Sequence, residues 1–290
     1  MILVWNAALS LQNFETLMCD DRSFSASRRA ALGLFGASLV AGLGACAAPE
    51  DPPAAGLSAA PGANEPAPPT VTSPATTPER PRPSFVPDYV LPPIQNGLAP
   101  VITRIPTKHP VVFLTIDDGA VKSSESVRLL AEKNLPASLF LTSNTIRDNP
   151  GYFKAFMEQG SLVENHTVSH NVNMATQWGY QRQFEDIAGM QNFAVQQFSR
   201  APTLFRPPGG AYSTVMRQAV AAAGLKAVIT WEAKANAGRM DYQYGNTLRP
   251  GDIVLMHFRA EFPADFAAFR SAQLAAGLEV VLLEEFLGVR

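Results

Sequence analysis

From residue 101 onward the chain alternates between two hydrophobic periods. Val111-Val112-Phe113-Leu114-Thr115-Ile116 is a continuous, β-branched apolar run, the pattern of a strand buried on both faces. Residues 123–133 then show helical spacing, with Val127, Leu130 and Ala131 on one side and Glu125, Arg128 and Glu132 elsewhere. The alternation continues with a strand over 137–141, a helix over 150–159 ended by Gly160, and a short strand over 161–164. A long amphipathic helix is expected over 180–198, a strand end at 204–206, and a helix over 213–223 closed by Gly224. A strand over 226–231, a second buried strand over 252–257, a helix over 263–276 and a last strand over 279–283 complete the pattern. Strands alternating with helices imply an α/β fold with a mostly parallel sheet, open or closed into a barrel. In such folds the polar residues that carry function stand at the carboxyl ends of the strands.

Before residue 101 this pattern is absent. Ser27-Arg28-Arg29 precedes an almost uncharged run from Leu34 to Cys46, rich in Gly and Ala, which reads as a twin-arginine export signal. Leu43-Gly44-Ala45-Cys46 resembles the lipobox of bacterial lipoproteins, in which the cysteine thiol receives a lipid. An uncleaved anchor is the alternative, but the run is weakly hydrophobic and close to the minimum of about 18–20 residues for a span. Residues 1–46 are therefore expected to be an export signal, with Met1 and Met18 as alternative starts and Met18 giving a signal of ordinary length. Residues 47–100, where prolines recur among Ala, Thr, Ser and Gly, are expected to be a disordered, extended linker. The expected location is outside the cytoplasmic membrane, lipid-anchored through Cys46 or secreted.

Composition narrows the function. With 25 acidic and 23 basic side chains the net charge is -2, which argues against nucleic acid as a partner. Two cysteines exclude a disulfide-stapled scaffold and a Cys-rich zinc site. The 47% hydrophobic content suffices for a large core. Only four histidines are present, His109, His166, His170 and His257, so the position of each is informative.

Four groups of polar residues fall at expected strand ends. Asp117-Asp118 closes the first buried strand, and in extended backbone their side chains point opposite ways, one toward a metal and one toward a substrate. The alternative is an Asx turn before Gly119. His166 and His170 share one face if 166–170 is a helical turn, and with a carboxylate they make a two-His-one-Asp metal site with an open position. Arg206-Pro207-Pro208-Gly209-Gly210 places an arginine, costly to bury unpaired, beside a rigid loop. His257 ends the second apolar strand and faces the same mouth, whereas His109 reads as an ordinary surface residue.

Together these motifs resemble the polysaccharide deacetylase family, also called the NodB-homology domain or carbohydrate esterase family 4, over residues 105–290. Thr115-Ile116-Asp117-Asp118-Gly119, Asn165-His166-Thr167-Val168-Ser169-His170, Arg206-Pro207-Pro208-Gly209 and Leu255-Met256-His257 are similar to its motifs in order. The resemblance implies a distorted (β/α) barrel of seven or eight strands, with residues 101–290 as the catalytic domain. It implies Asp118, His166 and His170 as ligands to a divalent metal, Zn2+ above Co2+, Ni2+ or Mn2+. It implies Asp117 as general base, Arg206 as its support and His257 as general acid. The backbone N–H of Gly209 would hold the oxyanion, with Trp231 at the substrate. The implied reaction removes N-acetyl groups from cell-wall or chitin-like amino-sugar polysaccharide, by a protein expected to be a monomer. An acetylxylan O-deacetylase and an inactive, wall-tethered carbohydrate-binding module are the alternatives. Two departures stand out. Gly209 occupies a position usually aromatic, and Glu232-Ala233-Lys234-Ala235-Asn236-Ala237 lacks the usual aspartates, leaving Glu232 or Asp241 as partner for Arg206.

Overall fold

The structure, a computed structural model, describes residues 85–290. The expected export signal, Met18, Cys46 and most of the linker lie outside these residues. Among the described residues the chain runs β1 (Val101–Ile102), β2 (Val111–Asp118), α1 (Ser124–Lys133), β3 (Ser138–Leu141), α2 (Ser143–Ile146), α3 (Gly151–Glu158) and β4 (Leu162–Asn165). It continues with α4 (Met174–Gln177), α5 (Tyr180–Phe198), β5 (Leu204–Phe205), a 3-10 turn (Pro208–Gly210), α6 (Thr214–Ala222) and β6 (Ala227–Ile229). The last part is β7 (Ala233–Asn236), β8 (Arg239–Tyr242), β9 (Ile253–His257), α7 (Phe262–Ala275), β10 (Glu279–Val280) and α8 (Leu283–Phe286).

The strands form one sheet in the order β1-β6-β5-β4-β3-β2-β9-β7-β8, with β10 beside β2. Every pairing is parallel except the β7–β8 hairpin. The sheet curls into a half-barrel, the distorted barrel expected. Alternation along β2 sorts its side chains onto two faces. Val112, Leu114 and Ile116 join the core beneath the outer helices, which includes Leu130 of α1, Phe153 of α3 and Phe269 of α7. Val111 and Phe113 face the barrel interior with Phe140, Ile229, Ile253 and Phe286. Thr115 and Asp117 share that interior face, so the β-period itself delivers a carboxylate into the barrel at its carboxyl end.

The helices carry the expected end signals. Ser123 caps α1 by accepting from the Glu125 N–H, and Asn134 ends it in the left-handed conformation. Ser213 caps α6 by accepting from Met216 N–H. The folded unit begins earlier than residue 101. Phe85, Tyr89 and Leu91 pack against the interior core, and Asp88 accepts from Thr107 Oγ1 (2.6 Å) and Lys108 N (2.9 Å). His109, expected to be an ordinary surface residue, anchors this stretch: its Nε2 lies 2.8 Å from Val86 O and its ring 5.3 Å from Phe85. Residues 85–100, expected as the end of the linker, are therefore part of the fold. Their aromatics cover apolar surface that the prolines around them disguised.

Below the strand ends the barrel interior holds two buried carboxyls. Glu164 accepts from Arg200 Nη2 (2.8 Å), Thr203 N (2.7 Å) and Leu204 N (2.6 Å). Glu284, from α8, accepts from Ser138 Oγ (2.7 Å), and its Oε1 is buried without a hydrogen-bond partner. Burial raises both carboxyls, Glu284 the more, because it also faces the charge of Glu164 while Arg200 stands closer to Glu164. A folded-state pKa raised above the unfolded value contributes stability below the unfolded pKa, and that stability is lost as pH rises through the folded one. Glu284→Gln is expected to keep the Ser138 contact and flatten this loss. Urea unfolding between pH 5 and 9 checks it: the wild type should weaken with rising pH more than the variant, and superimposable profiles would refute the assignment.

Candidate active site

Four parallel strands, β2, β4, β5 and β9, bring the motifs together. In the pairing register Asp117 of β2 stands beside His257 of β9, Asp118 beside Leu141 of β3, and Asn165 of β4 beside Phe205 of β5. Asp118, His166 and His170 converge, with one ligand atom from each lying within 4.8 Å of the others. Asp118 Oδ1 is 3.0 Å from His170 Nε2 and 3.4 Å from His166 Nε2. This buried oxygen has no hydrogen-bond partner among the described residues. Burial disfavours its charge, but the imidazoles of His166 and His170 outweigh burial and hold the carboxyl well below the ordinary range. An ionised, unsatisfied oxygen between two imidazole nitrogens is a fitting set of donors for a divalent cation such as zinc.

Local backbone departs from both sequence expectations here. Asp118 does not point away from Asp117. Its φ of 73° breaks the strand alternation and turns both carboxylates toward one pocket, with Asp117 Oδ2 3.7 Å from His166 Nε2. The two histidines do not ride a helical turn either. They sit on a loop after β4 in which Thr167 (φ 71°) and His170 (φ 54°) are left-handed. Three non-glycine residues in this region carry strain of about 1–3 kcal/mol each, and side chains hold them there. Asn165 Oδ1 accepts from Thr167 N (2.9 Å), Asn165 Nδ2 donates to Ile187 O (2.9 Å), and Thr167 Oγ1 accepts from His170 N (3.0 Å). His166 Nδ1 donates to Arg206 O (2.8 Å), since a carbonyl can only accept. That bond fixes the tautomer and leaves Nε2 with its lone pair toward Asp118.

Arg206 is fully buried beneath Asp117. Its Nη1 donates to Asp117 Oδ1 and to Thr115 Oγ1, both at 2.7 Å, its Nε to Ile229 O (3.3 Å) and its Nη2 to Thr230 O (3.2 Å). The guanidinium lies 4.3 Å above the Phe140 ring. Burial lowers its pKa and the Asp117 charge opposes this. The partner is thus Asp117 itself, not Glu232 or Asp241. Glu232 pairs with Arg249 (2.5 Å), and Asp241 with Arg239 (3.3 Å), because β7 and β8 carry them away from Arg206. Thr115, which the sequence reading passed over as part of an apolar run, completes the cradle.

His257 sits half-buried at the mouth, and burial pushes its pKa to about 4 against the pull of Asp118 and Asp117. Gly209 (φ 67°) lies in the 3-10 turn after Arg206. Trp231 packs on that turn: a Cβ at Gly210 would meet its Cη2 at 2.6 Å, so only glycine permits the approach. The structure thus brings together all eight residues singled out in the sequence around one interior mouth.

A curled α/β sheet with a two-histidine, one-carboxylate pocket beside a buried Asp–Arg pair defines the class of protein. Residues 104–228 match the family described as polysaccharide deacetylase. An uncharacterized protein of Streptomyces coelicolor is 35% identical over 66% of this chain and 78% of its own. The bifunctional xylanase/xylan deacetylase of Cellvibrio japonicus is 31% identical over 50% of this chain and 22% of its own length. The peptidoglycan-N-acetylglucosamine deacetylase of Bacillus cereus is 26% identical over 54% of this chain and 76% of its own. Among solved structures, a family 4 carbohydrate esterase from Streptomyces lividans, in complex with acetate, gives a TM-score of 0.51 at 25% identity, covering 60% of this chain and 93% of that one. The chain belongs to the polysaccharide deacetylase family.

Proposed function

We propose that this protein removes N-acetyl groups from cell-wall or related amino-sugar polysaccharide, releasing acetate, with a divalent metal, Zn2+ first, held by Asp118, His166 and His170. The observation that carries the reading is the meeting of those three side chains beside the buried Asp117–Arg206 pair. When bound, such a metal supplies Lewis-acid polarisation of a carbonyl and a lowered pKa for water. Asp117 takes the proton of the attacking water, and Arg206, donating to its Oδ1, holds that carboxylate in place. The backbone N–H of Gly209, in the turn after Arg206, would hold the developing oxyanion. With its pKa near 4, His257 is neutral at rest. It acts as an acid only after taking up the proton that Asp117 has removed from the water, which it then gives to the leaving nitrogen as the C–N bond breaks to acetate and amine. An inactive carbohydrate-binding module needs neither the Asp118–His166–His170 cluster nor the buried Asp117–Arg206 pair, which favours the hydrolase reading.

The test is acetate release from peptidoglycan, chitin oligomers and acetylated xylan, with and without a chelator. Release from the first two, abolished by chelator and restored by Zn2+, is expected. Release confined to xylan would make the protein an O-deacetylase, and no release with stoichiometric metal bound would sink the hydrolase reading. We further infer an exported lipoprotein tethered through Cys46 by a proline-rich linker, on the strength of the twin arginines and the lipobox-like residues. Cys46→Ala is expected to move the protein from the membrane to the soluble fraction of cells. Unchanged fractionation would refute the tether.

A further inference from the structure

Strand β3 stands between the two strands that lead into the metal-type ligands. Its Leu141 pairs with Asp118 of β2 on one side and with Asn165 of β4 on the other. Whatever follows β3 is therefore placed between the Asp118 turn and the His166–His170 loop. Residues 142–145, the cap and first turn of α2, follow it and bond to both. On one side Asp118 O accepts from Thr142 N (3.2 Å) and from Thr145 Oγ1 (2.5 Å). On the other, His166 O accepts from Thr142 Oγ1 (2.9 Å), Thr167 O from Ser143 N (3.2 Å) and Val168 O from Asn144 N (3.1 Å). A helix start leaves its first N–H groups without partners of its own, and here they serve the ligand-bearing segments. Thr142 makes no side-chain cap bond to its own helix, and its buried hydroxyl donates to His166 O instead.

The Asp118 side is also closed by packing. Asp118 (φ 73°) and Gly119 (φ 79°) are both left-handed, and a Cβ at Gly119 would stand 2.4 Å from Ile146 Cγ2 of α2. Lys122, four residues after Asp118, donates its Nζ to Thr145 O (2.8 Å) and pairs with Asp148 (3.0 Å). Thr145 thus holds the turn in both directions, giving its hydroxyl proton to Asp118 O and accepting from Lys122. Its Oγ1 also lies 2.8 Å from Thr142 O, but Asp118 O is the nearer acceptor.

We propose that Thr142 and Thr145 are positioning residues that set metal affinity, by holding the backbone of Asp118 and of His166 in the conformation that aims both side chains at one point. The demand is greatest at Asp118. Left-handed backbone is unfavourable for a residue with a Cβ, and the glycine after it resists no rotation. An extended Asp118 would turn its carbonyl from Thr145 and its carboxylate from the imidazoles. This inference rests on the reading of Asp118, His166 and His170 as metal ligands, and it concerns their support rather than the sugar.

The test is the Zn2+ affinity of the full-length protein, measured by competition with a chromophoric chelator, with the Co2+ absorption spectrum as a report of ligand geometry. Thr145→Val replaces the hydroxyl with a methyl group of similar size, and is expected to weaken Zn2+ binding about 10-fold or more and to shift the Co2+ bands. Thr145→Ser keeps the hydroxyl and should bind within about threefold of wild type. Thr142→Val removes the donor to His166 O and is expected to weaken Zn2+ in the same sense, so it carries the test if Thr145→Val does not fold. A general loss of stability would leave the affinity of the folded protein unchanged. Wild-type affinity in Thr145→Val or Thr142→Val, or an equal loss in Thr145→Ser, would overturn the clamp and leave the metal site standing. A wild type that binds no Zn2+ would overturn the clamp and the metal reading together. The expected losses in a protein that binds Zn2+ but releases no acetate would support the clamp and overturn only the deacetylase reading.

Discussion

Asp117→Asn is expected to cut acetate release by a factor of about 10³ or more while the protein still binds one divalent metal. The expectation follows from what the carboxylate does and what it does not touch. Asp117 stands beside the two-histidine pocket, with Oδ2 3.7 Å from His166, and its Oδ1 is held by Arg206 at 2.7 Å. An amide at this position keeps the shape and still offers an oxygen to Arg206, but it cannot accept the water's proton. General-base loss alone is worth about 10²–10⁴ in rate. Metal occupancy separates this from a ligand effect, because Asp118, His166 and His170 remain. Elemental analysis alongside acetate assay checks both halves. A variant that keeps a tenth or more of the rate, or one that loses the metal, would reassign Asp117.

The same residues show what a sequence can and cannot disclose. Elements whose pattern is dictated by local burial were legible. The 180–198 helix coincides with α5, whose buried positions Ile187, Met190, Ala194 and Phe198 follow the helical period. The buried strands were legible as runs of β-branched residues. The β7–β8 hairpin was not, because Ala233-Lys234-Ala235-Asn236 buries only small side chains. Its turn, Ala237-Gly238 with φ of 52° and 72°, lacks the usual Asn-Gly signature. The site's membership was legible from residue types at strand ends. Its geometry was not, since the left-handed backbone at Asp118, Thr167 and His170 has no signature in residue type, and the side-chain bonds that brace the loop, Asn165 to Thr167 and Thr167 to His170, are not readable from spacing. The Arg206 partner was hidden for a related reason. Position along the chain suggested Glu232 or Asp241, whereas strand register puts Asp117, 89 residues away, within one hydrogen bond.

That pairing sets the second large effect. Arg206→Leu is expected to lower the unfolding free energy by about 3–5 kcal/mol and to abolish turnover. The fork makes four hydrogen bonds, to Thr115, Asp117, Ile229 O and Thr230 O. A neutral hydrogen bond contributes only about 0.5–1.5 kcal/mol net, whereas a buried carboxylate left without its cation bears most of its desolvation cost. The charge therefore dominates, and it can be separated from the bonds. The double variant Asp117→Leu/Arg206→Leu removes both charges, refills the space with apolar volume and is expected to regain a large part of the lost stability with no return of activity. Urea midpoints for the two single variants and the double variant measure the coupling directly. A single Arg206→Leu variant that unfolds within about 1 kcal/mol of wild type, or a double variant no more stable than Arg206→Leu, would refute a stabilising coupling between Asp117 and Arg206.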